Sequence, residues 1–145
     1  MNFENYQDTN LEDCIKLFDK NCPQFFAENE RQDYINYLCD KKDSYKIGYS
    51  EGDVVAAFGI GVNKELKRAR ITWIMVCPFA KGQGIGNEMM AYAKEFVLDK
   101  KIKIIDISAS HISAPFFEKF GAVTTKITHD GWGPNMHKVD TNLTL

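Results

Sequence analysis

Three glycines at alternate positions, within residues 76–87, constrain the fold of this 145-residue chain more than any other feature of its sequence. An apolar stretch precedes them and a helical pattern follows, so the segment connects a strand to a helix. Glycine lacks Cβ and adopts positive φ, which lets backbone N–H groups approach a ligand closely. The start of the following helix adds unpaired N–H donors and the positive end of the helix dipole. The segment therefore predicts an anion site, and a pyrophosphate suits it best.

Two common phosphate-binding loops do not match the spacing of these glycines. A P-loop needs a lysine and a hydroxyl directly after its last glycine, where Asn87 and Glu88 stand. A dinucleotide fingerprint needs glycine at position 87 and normally follows the first strand of a parallel unit. The spacing therefore disfavours both nucleoside triphosphate hydrolysis and a Rossmann fold.

The sequence before the glycines predicts two helices followed by antiparallel strands. Thr9 is the expected N-cap of a first helix that ends near Pro23, and a second helix is predicted over residues 28–40. After residue 40 the helical pattern of apolar residues ends. Stretches rich in β-branched and aromatic residues then alternate with charged or glycine-containing turns, which is typical of strands. The predicted strands cover residues 45–49, 54–62 and 70–77.

The sequence after the glycines returns to alternating helices and strands. An apolar stripe predicts a helix over residues 85–97, and the isoleucine-rich run 102–107 is typical of a central strand parallel to the one before the helix. A fourth helix over residues 113–120 and two final strands, 123–128 and 137–145, complete the pattern. We therefore expect one α/β domain over residues 1–145, with a mixed sheet and about four helices.

Composition argues against several classes of partner. Lysine and arginine number 18 against 20 acidic residues, so no global positive field attracts a nucleic acid. The longest apolar runs fall far short of the roughly 20 residues of a membrane helix, and the amino terminus does not resemble a signal peptide. We therefore expect a cytoplasmic protein with neither a nucleic-acid nor a membrane partner.

The cysteines and histidines predict neither a disulfide nor a metal site. The four cysteines form no C-x-x-C pair and lie in or beside apolar segments, where reduced cysteine behaves as a small hydrophobe. His111, His129 and His137 are separated by 18 and 8 residues, and neither distance is a local metal-ligand spacing. We therefore expect no metal.

Two motifs, in order along the chain, resemble the GNAT acyltransferase superfamily. Residues 81–86, Lys-Gly-Gln-Gly-Ile-Gly, resemble the loop that clasps the pyrophosphate of acetyl coenzyme A. Residues 110–122 resemble the later helix motif of that superfamily, which typically reads Phe-Tyr-Glu-Lys-x-Gly-Phe. The sequence departs from the pattern at Lys81, where arginine or glutamine is usual, at Phe117, where tyrosine is frequent, and at Ala122, where an aromatic is usual.

The resemblance implies a mostly antiparallel central sheet and a transferase activity. The expected reaction moves an acetyl group from acetyl coenzyme A (CoA) to a primary amine by direct attack in a ternary complex. The resemblance also implies that the backbone N–H of Val76 stabilises the oxyanion. The expected CoA contacts are Met75, Val76, Lys81, Gly82, Gln83, Gly84, Ile85, Gly86, Asn87, Ser110 and Phe117.

The catalytic acid and base are less clearly marked in the sequence. The tyrosine that often protonates the departing thiolate in the family is replaced by Phe117, so water or the Ser110 hydroxyl takes this role in our prediction, with His111 a weaker substitute. Glu30 is a weak candidate base, because Glu30 and Asp33 are expected on a solvated helix face. Four aromatic residues are candidate acceptor contacts, although core packing explains them as well. They are Phe25, Phe26, Trp73 and Trp132.

Two other readings of the sequence stay open at this stage. A CoA-binding sensor or interaction module that lost turnover would also keep the glycine loop, and a longer acyl group would suit the same loop. The final strands could also pair across a homodimer interface.

Replacing Phe117 by tyrosine tests whether this side chain lies against the pantetheine arm. We expect Phe117→Tyr to change the pH profile of acetyl transfer more than it changes CoA affinity, because tyrosine supplies a proton donor of similar size. The measurements are rates from pH 6 to 9 and a calorimetric Kd for CoA. An unchanged profile would instead favour Phe117 as a core anchor only.

Overall fold

A computed structural model describes residues 1–145 as four helices around one seven-stranded sheet. The spatial order of the strands is β1-β2-β3-β4-β5-β7-β6, and every neighbouring pair is antiparallel except β4 and β5. The strands are β1 (Asn2–Asn5), β2 (Ser44–Ser50), β3 (Asp53–Asn63), β4 (Arg68–Val76), β5 (Ile104–Ser110), β6 (Val123–Gly133) and β7 (Met136–Thr144). The helices are α1 (Leu11–Asn21), α2 (Glu30–Asp40), α3 (Ile85–Leu98) and α4 (Ala114–Glu118).

This architecture confirms the predicted fold class, including the parallel pairing of β4 with β5. One local prediction was wrong, and one strand was missed. The short strand β1 was not predicted, and Thr9 does not cap α1. Thr9 lies instead inside a single 3₁₀ turn, Asp8–Asn10, in which the Asn10 side chain accepts the N–H of Gln7 at 2.8 Å.

The core lies on both faces of the central strands. Five successive residues of β3, Ala56 to Ile60, are buried, so neither face of this strand meets solvent. Helices α1 and α3 both pack on β3 and β4. Phe18 of α1 and Met89 of α3 are fully buried there. None of the helices has the length and apolar character needed to cross a bilayer.

Strands β4 and β5 pair over only four residues and then separate. Arg68–Ile71 pair with Ile104–Ile107, and neither strand has a partner in the other beyond these positions. At the closed end, the Arg68 guanidinium makes two hydrogen bonds to Asp106, of 2.9 and 2.6 Å, so this carboxylate has the structural role expected of a paired group. The carboxyl ends of two parallel strands therefore border a gap, a position where α/β proteins bind ligands.

A bulge in β4 bends this strand where the gap begins. Ala57 of β3 pairs with Met75, and Gly59 pairs with Thr72, so two residues of β4 stand opposite one residue of β3. One of them, Trp73, has φ +46°, which is rare for a bulky side chain. The bulge interrupts the side-chain alternation of β4 and turns Trp73 toward the aromatic cluster of α1 and α2.

Candidate functional site

The glycine loop presents six consecutive backbone amides that donate no hydrogen bond within the protein, from Gly82 to Asn87. The first intrahelical bond of α3 joins the Glu88 N–H to the Gly84 carbonyl at 3.1 Å, so the amides of residues 85–87 belong to the open first turn. Gly82 and Gly84 have φ of +84° and +79°, which explains glycine at both positions. The loop is therefore a concentrated set of free donors at the positive end of a helix.

Gly86 has a different role, because it allows α3 to approach α4. A Cβ built at this position would lie 2.7 Å from Cζ of Phe116, so only glycine leaves room for the ring. The phenyl ring closes one side of the space in front of the free amides. The three alternate glycines thus combine two positive-φ positions with one close contact.

A cavity of about 670 Å³ lies beside these amides. Nine of the eleven predicted CoA contacts line it, whereas Gln83 and Ser110 do not. The nine are Met75, Val76, Lys81, Gly82, Gly84, Ile85, Gly86, Asn87 and Phe117. The sequence analysis missed several other lining residues, among them Asn21, Ile112, Ser113 and Lys119.

Lys81 places its ammonium group over an aromatic ring at the mouth of this cavity. Nζ lies 3.2 Å from the centroid of the Phe25 ring, a cation–π contact. Partial burial lowers the pKa of this lysine from its usual value. Both side chains line the cavity, so a cation stands within the same space as the free amides.

A second cavity, of about 310 Å³, occupies the gap between β4 and β5. It adjoins the first, because Phe26, Ser113 and Phe117 line both. All four aromatic residues that were candidate acceptor contacts line this second cavity, and Phe25 and Phe26 also line the first. Trp73 and Trp132 line the second cavity only.

Glu30 lies inside the protein and not on a solvated helix face, so this expectation was wrong. Its residue is 4% exposed and lines the second cavity, whereas Asp33 on the same helix is exposed as predicted. Oε2 accepts the N–H of Ala27 at 2.7 Å, whereas Oε1 makes no hydrogen bond within the protein and is accessible to solvent. Burial raises the pKa of Glu30 to about 7, against a smaller lowering by the Ala27 N–H. The helical pattern could not show this burial, because the residues that share the cavity with Glu30 come mostly from β4, β5 and β6.

Ser110 uses its hydroxyl in a local turn. Its Oγ accepts the N–H of Ser113 at 3.1 Å and donates to Oγ of Ser113 at 3.2 Å. Ser110 lines the second cavity only, whereas Ser113 lines both. The hydroxyl at the junction of the cavities therefore belongs to Ser113, which the sequence analysis did not select.

Phe117 is a core residue whose ring also lines the space between the cavities. The residue is 3% exposed and belongs to the main hydrophobic core, and it also lines both cavities. Its ring packs edge-on against Phe116 at a centroid distance of 5.1 Å. A core anchor at this position therefore also forms the floor where the cavities meet.

The three histidines, distant in sequence, are neighbours in the structure. The ring centroid of His137 lies 4.6 Å from that of His111 and 4.4 Å from that of His129, because β5, β7 and β6 are adjacent strands. Ligand atoms of His129, Asp130 and His137 lie within 4.8 Å of one another. However, Nδ1 of His137 already accepts the N–H of Asp130 at 3.0 Å. The spacing of the histidines along the sequence therefore does not decide whether they bind a metal, and the absence of a metal stays a prediction.

Residues 11–122 match the model of the acetyltransferase (GNAT) family. The match covers most of the chain and includes the glycine loop and α4. The protein therefore belongs to the GNAT acetyltransferase family. The match ends before β6 and β7, the strands that carry Trp132 and the histidine pair.

Solved structures share this fold over almost the whole chain. An aminoglycoside 6'-N-acetyltransferase complexed with coenzyme A has a TM-score of 0.76 at 11% identity, covering 99% of this chain and 97% of that one. A ribosomal-protein-alanine N-acetyltransferase from Brucella melitensis has a TM-score of 0.72 at 13% identity, with 100% of both chains covered. An N-acetyltransferase from Staphylococcus aureus has a TM-score of 0.73 at 10% identity, covering 99% and 97%. No curated protein matches the chain.

The buried carboxyl of Glu30 gives the fold a measurable pH dependence. A pKa of about 7 in the folded state, raised from 4.5, means that the folded protein retains a proton that the unfolded chain releases. Stability therefore falls as the pH rises from about 5 to 8. We expect Glu30→Gln to remove this loss, on the order of 2 kcal/mol after allowance for the open cavity.

Thermal unfolding of both proteins from pH 5 to 8 tests this expectation. The Tm of Glu30→Gln relative to the unsubstituted protein should increase with pH, because glutamine keeps an acceptor for the Ala27 N–H and carries no charge. Asp33→Asn, an exposed change on the same helix, should leave the pH dependence as it was. A constant Tm difference across the range would show that Glu30 titrates normally.

Proposed function

We propose that the protein is an acetyl-CoA-dependent N-acetyltransferase, with CoA in the 670 Å³ cavity and an amine acceptor in the 310 Å³ cavity. The observation that supports this most directly is the row of six free amides beside one cavity, together with the largely buried Glu30 carboxyl on the lining of the adjoining cavity. A protein that only binds an anion needs no more than the free amides, whereas a transferase also needs two adjoining cavities, one for each reactant. In this proposal residues 1–145 act as one domain, since β6 supplies Trp132 to the second cavity.

The free amides suit a pyrophosphate. Six N–H groups from Gly82 to Asn87 have no internal acceptor, and the dipole of the 14-residue helix α3 adds positive potential at the same place. Lys81 adds a positive charge at the cavity mouth. The pantetheine arm then follows the apolar floor toward Phe117, where the two cavities meet.

Acetyl-CoA supplies an activated thioester, so the residues of the protein need mainly to position the reactants. The amine nitrogen attacks the carbonyl carbon, a C–N bond forms, the C–S bond breaks, and CoA leaves as the thiolate. Holding the two reactants in this geometry is worth on the order of 7–11 kcal/mol. Acid and base catalysis together add a smaller share.

Val76 is suited to stabilise the carbonyl oxygen as it becomes negative. The N–H of Cys77 donates to Val55 of β3 at 2.7 Å, so the N–H of Val76, one residue earlier, points away from β3. Strand β5 does not pair with β4 at this level, and the amide therefore faces the gap. A fixed donor of this kind acts without reorganisation during the reaction.

Glu30 is suited to accept the proton that the amine loses. A primary amine with a pKa near 10.4 is almost fully protonated at neutral pH, so a base promotes the reaction. The pKa of Glu30, about 7, is close to the operating pH, and Oε1 is free on the side of the second cavity. We assign Glu30 as the base, acting directly or through one water.

Ser113 stabilises the departing thiolate by a hydrogen bond in this proposal, and the thiolate then takes its proton from water. Its Oγ accepts a hydrogen bond from Ser110 and keeps its own proton for a group at the junction of the cavities. Phe117 cannot donate a proton. The absence of a proton donor at position 117 also supports the second candidate function, a CoA-binding sensor with weak or no turnover. Measuring the release of free thiol distinguishes a transferase from such a sensor.

The glycine loop gives the most direct test of CoA binding. We expect Gly84→Val to weaken acetyl-CoA binding at least tenfold, because valine at φ +79° distorts the row of free amides. Gly52→Val is the matched control, since Gly52 has φ +85°, equally open surroundings and a position in the β2–β3 turn. Calorimetry should show full affinity for Gly52→Val. Equal affinity in both variants would overturn the assignment of the loop.

The role of Glu30 is tested by the pH dependence of the reaction. We expect kcat/KM to rise with pH through about 7 as Glu30 loses its proton, and Glu30→Gln to lower kcat/KM by about 10²–10⁴ and to lose this rise. Thiol release measured with one amine at several pH values checks both statements. A variant that kept the rise would show that another group accepts the proton.

A further inference from the structure

We infer that the acceptor is a small monoamine with an aromatic or branched apolar body and without a carboxylate. This inference rests on the proposed function and assigns a substrate class to the second cavity. Its basis is the cavity's size, its aromatic walls and the pairing of its charges.

The size of the cavity limits the acceptor. Its volume of about 310 Å³ is at the lower end of the range for small-molecule pockets, roughly 300–1,000 Å³. An amine with a single aromatic ring fits such a space. A ligand of several sugar rings would extend into solvent and leave most of its surface outside.

The aromatic walls are fixed before an acceptor arrives. The indole Nε1–H of Trp132 donates to the Ala109 carbonyl at 3.0 Å, and the Trp132 carbonyl accepts from the Asn29 side chain at 2.8 Å. On the β4 side of the cavity, Phe26, which lies between α1 and α2, stacks on Trp73 with a centroid distance of 5.9 Å and an angle of 22°. Rigid apolar walls favour an apolar body, because little conformational entropy is lost at binding.

Only one charged group on the lining lacks a partner of opposite charge. Arg70 is paired with Asp43 at 2.7 Å, and Asp106 is paired with Arg68 at 2.6 Å. The remaining group is Glu30, whose residue is 4% exposed and whose Oε1 is unpaired. One carboxyl group in an apolar cavity complements one ammonium group.

This charge arrangement also identifies the amines that the cavity rejects. A carboxylate beside the amine, as in a free amino acid, would lie near the Glu30 carboxyl, and the one cation on the lining of the second cavity, Arg70, is already paired with Asp43. A second ammonium at the far end of a diamine would find no unpaired carboxylate, because Asp106 is already paired with Arg68. Both groups therefore reduce affinity, whereas an apolar body gains it.

A panel of matched amines tests the inference on the unsubstituted protein. Thiol release with acetyl-CoA is measured for 2-phenylethylamine, L-phenylalanine, 1,5-diaminopentane, kanamycin and a peptide with an amino-terminal alanine. We expect kcat/KM for 2-phenylethylamine to exceed that of every other amine at least tenfold. A higher value for any of the other four would overturn the substrate class.

A variant of the cavity wall supports the panel. Trp132→Ala should raise the KM for 2-phenylethylamine at least tenfold and leave the Kd of acetyl-CoA unchanged, because Trp132 lines the second cavity only. Leu66→Ala, an exposed change in the β3–β4 turn, should leave both values unchanged. An unchanged KM in Trp132→Ala would contradict the assigned wall.

The outcomes separate this inference from the proposed function. If acetyl-CoA does not bind, the proposed function fails. If acetyl-CoA binds and thiol is released fastest with an amino acid, a diamine, kanamycin or the peptide, the transferase assignment holds and only the substrate class is wrong.

Discussion

The separation of β4 from β5 after four paired residues is the constraint on which the rest of this structure depends. A continuous sheet would use the backbone groups of both strands in ladder hydrogen bonds and would fill the gap with side chains. Because pairing stops at Ile71 and Ile107, the amide of Val76 is left facing open space, and the chain continues from there into the glycine loop. The free strand amide and the free helix amides thus border one continuous space.

A gap inside a sheet exposes backbone groups that need other partners, and side chains from distant elements supply them. The carbonyl of Trp73 in β4 accepts the Tyr45 hydroxyl at 2.9 Å, and the carbonyl of Ala109 in β5 accepts the Trp132 indole at 3.0 Å. The second of these bonds also orients the Trp132 ring, which lines the second cavity. An interaction that satisfies a backbone group at the gap therefore also shapes this cavity.

The sequence predicts those parts of the site that depend on local chain geometry. Gly82 and Gly84 indicate the loop because a positive φ strongly favours glycine. The isoleucine run indicates the buried parallel strand because a strand that is buried on both faces requires apolar residues at successive positions. The sequence around Glu30, Ser113 and the three histidines contains no comparable pattern. Their surroundings come from contacts between distant elements, such as the approach of the β6–β7 hairpin to the turn before α2, where Asn29 meets the Trp132 carbonyl. A single sequence contains no signal for contacts of that kind.

Under the proposed function, the requirements of stability and of catalysis conflict at Glu30. A carboxyl that is only 4% exposed is costly to ionise, and the single N–H of Ala27 offsets only part of that cost. A second donor on Oε1 would stabilise the carboxylate and lower its pKa, but it would also occupy the oxygen that faces the cavity. A solvent-exposed carboxylate at this position would be harmless to the fold but would have the low pKa of an ordinary carboxyl, and it would therefore be a weaker base. The unpaired oxygen therefore lowers the stability of the fold. Proteins retain such destabilising features at functional sites.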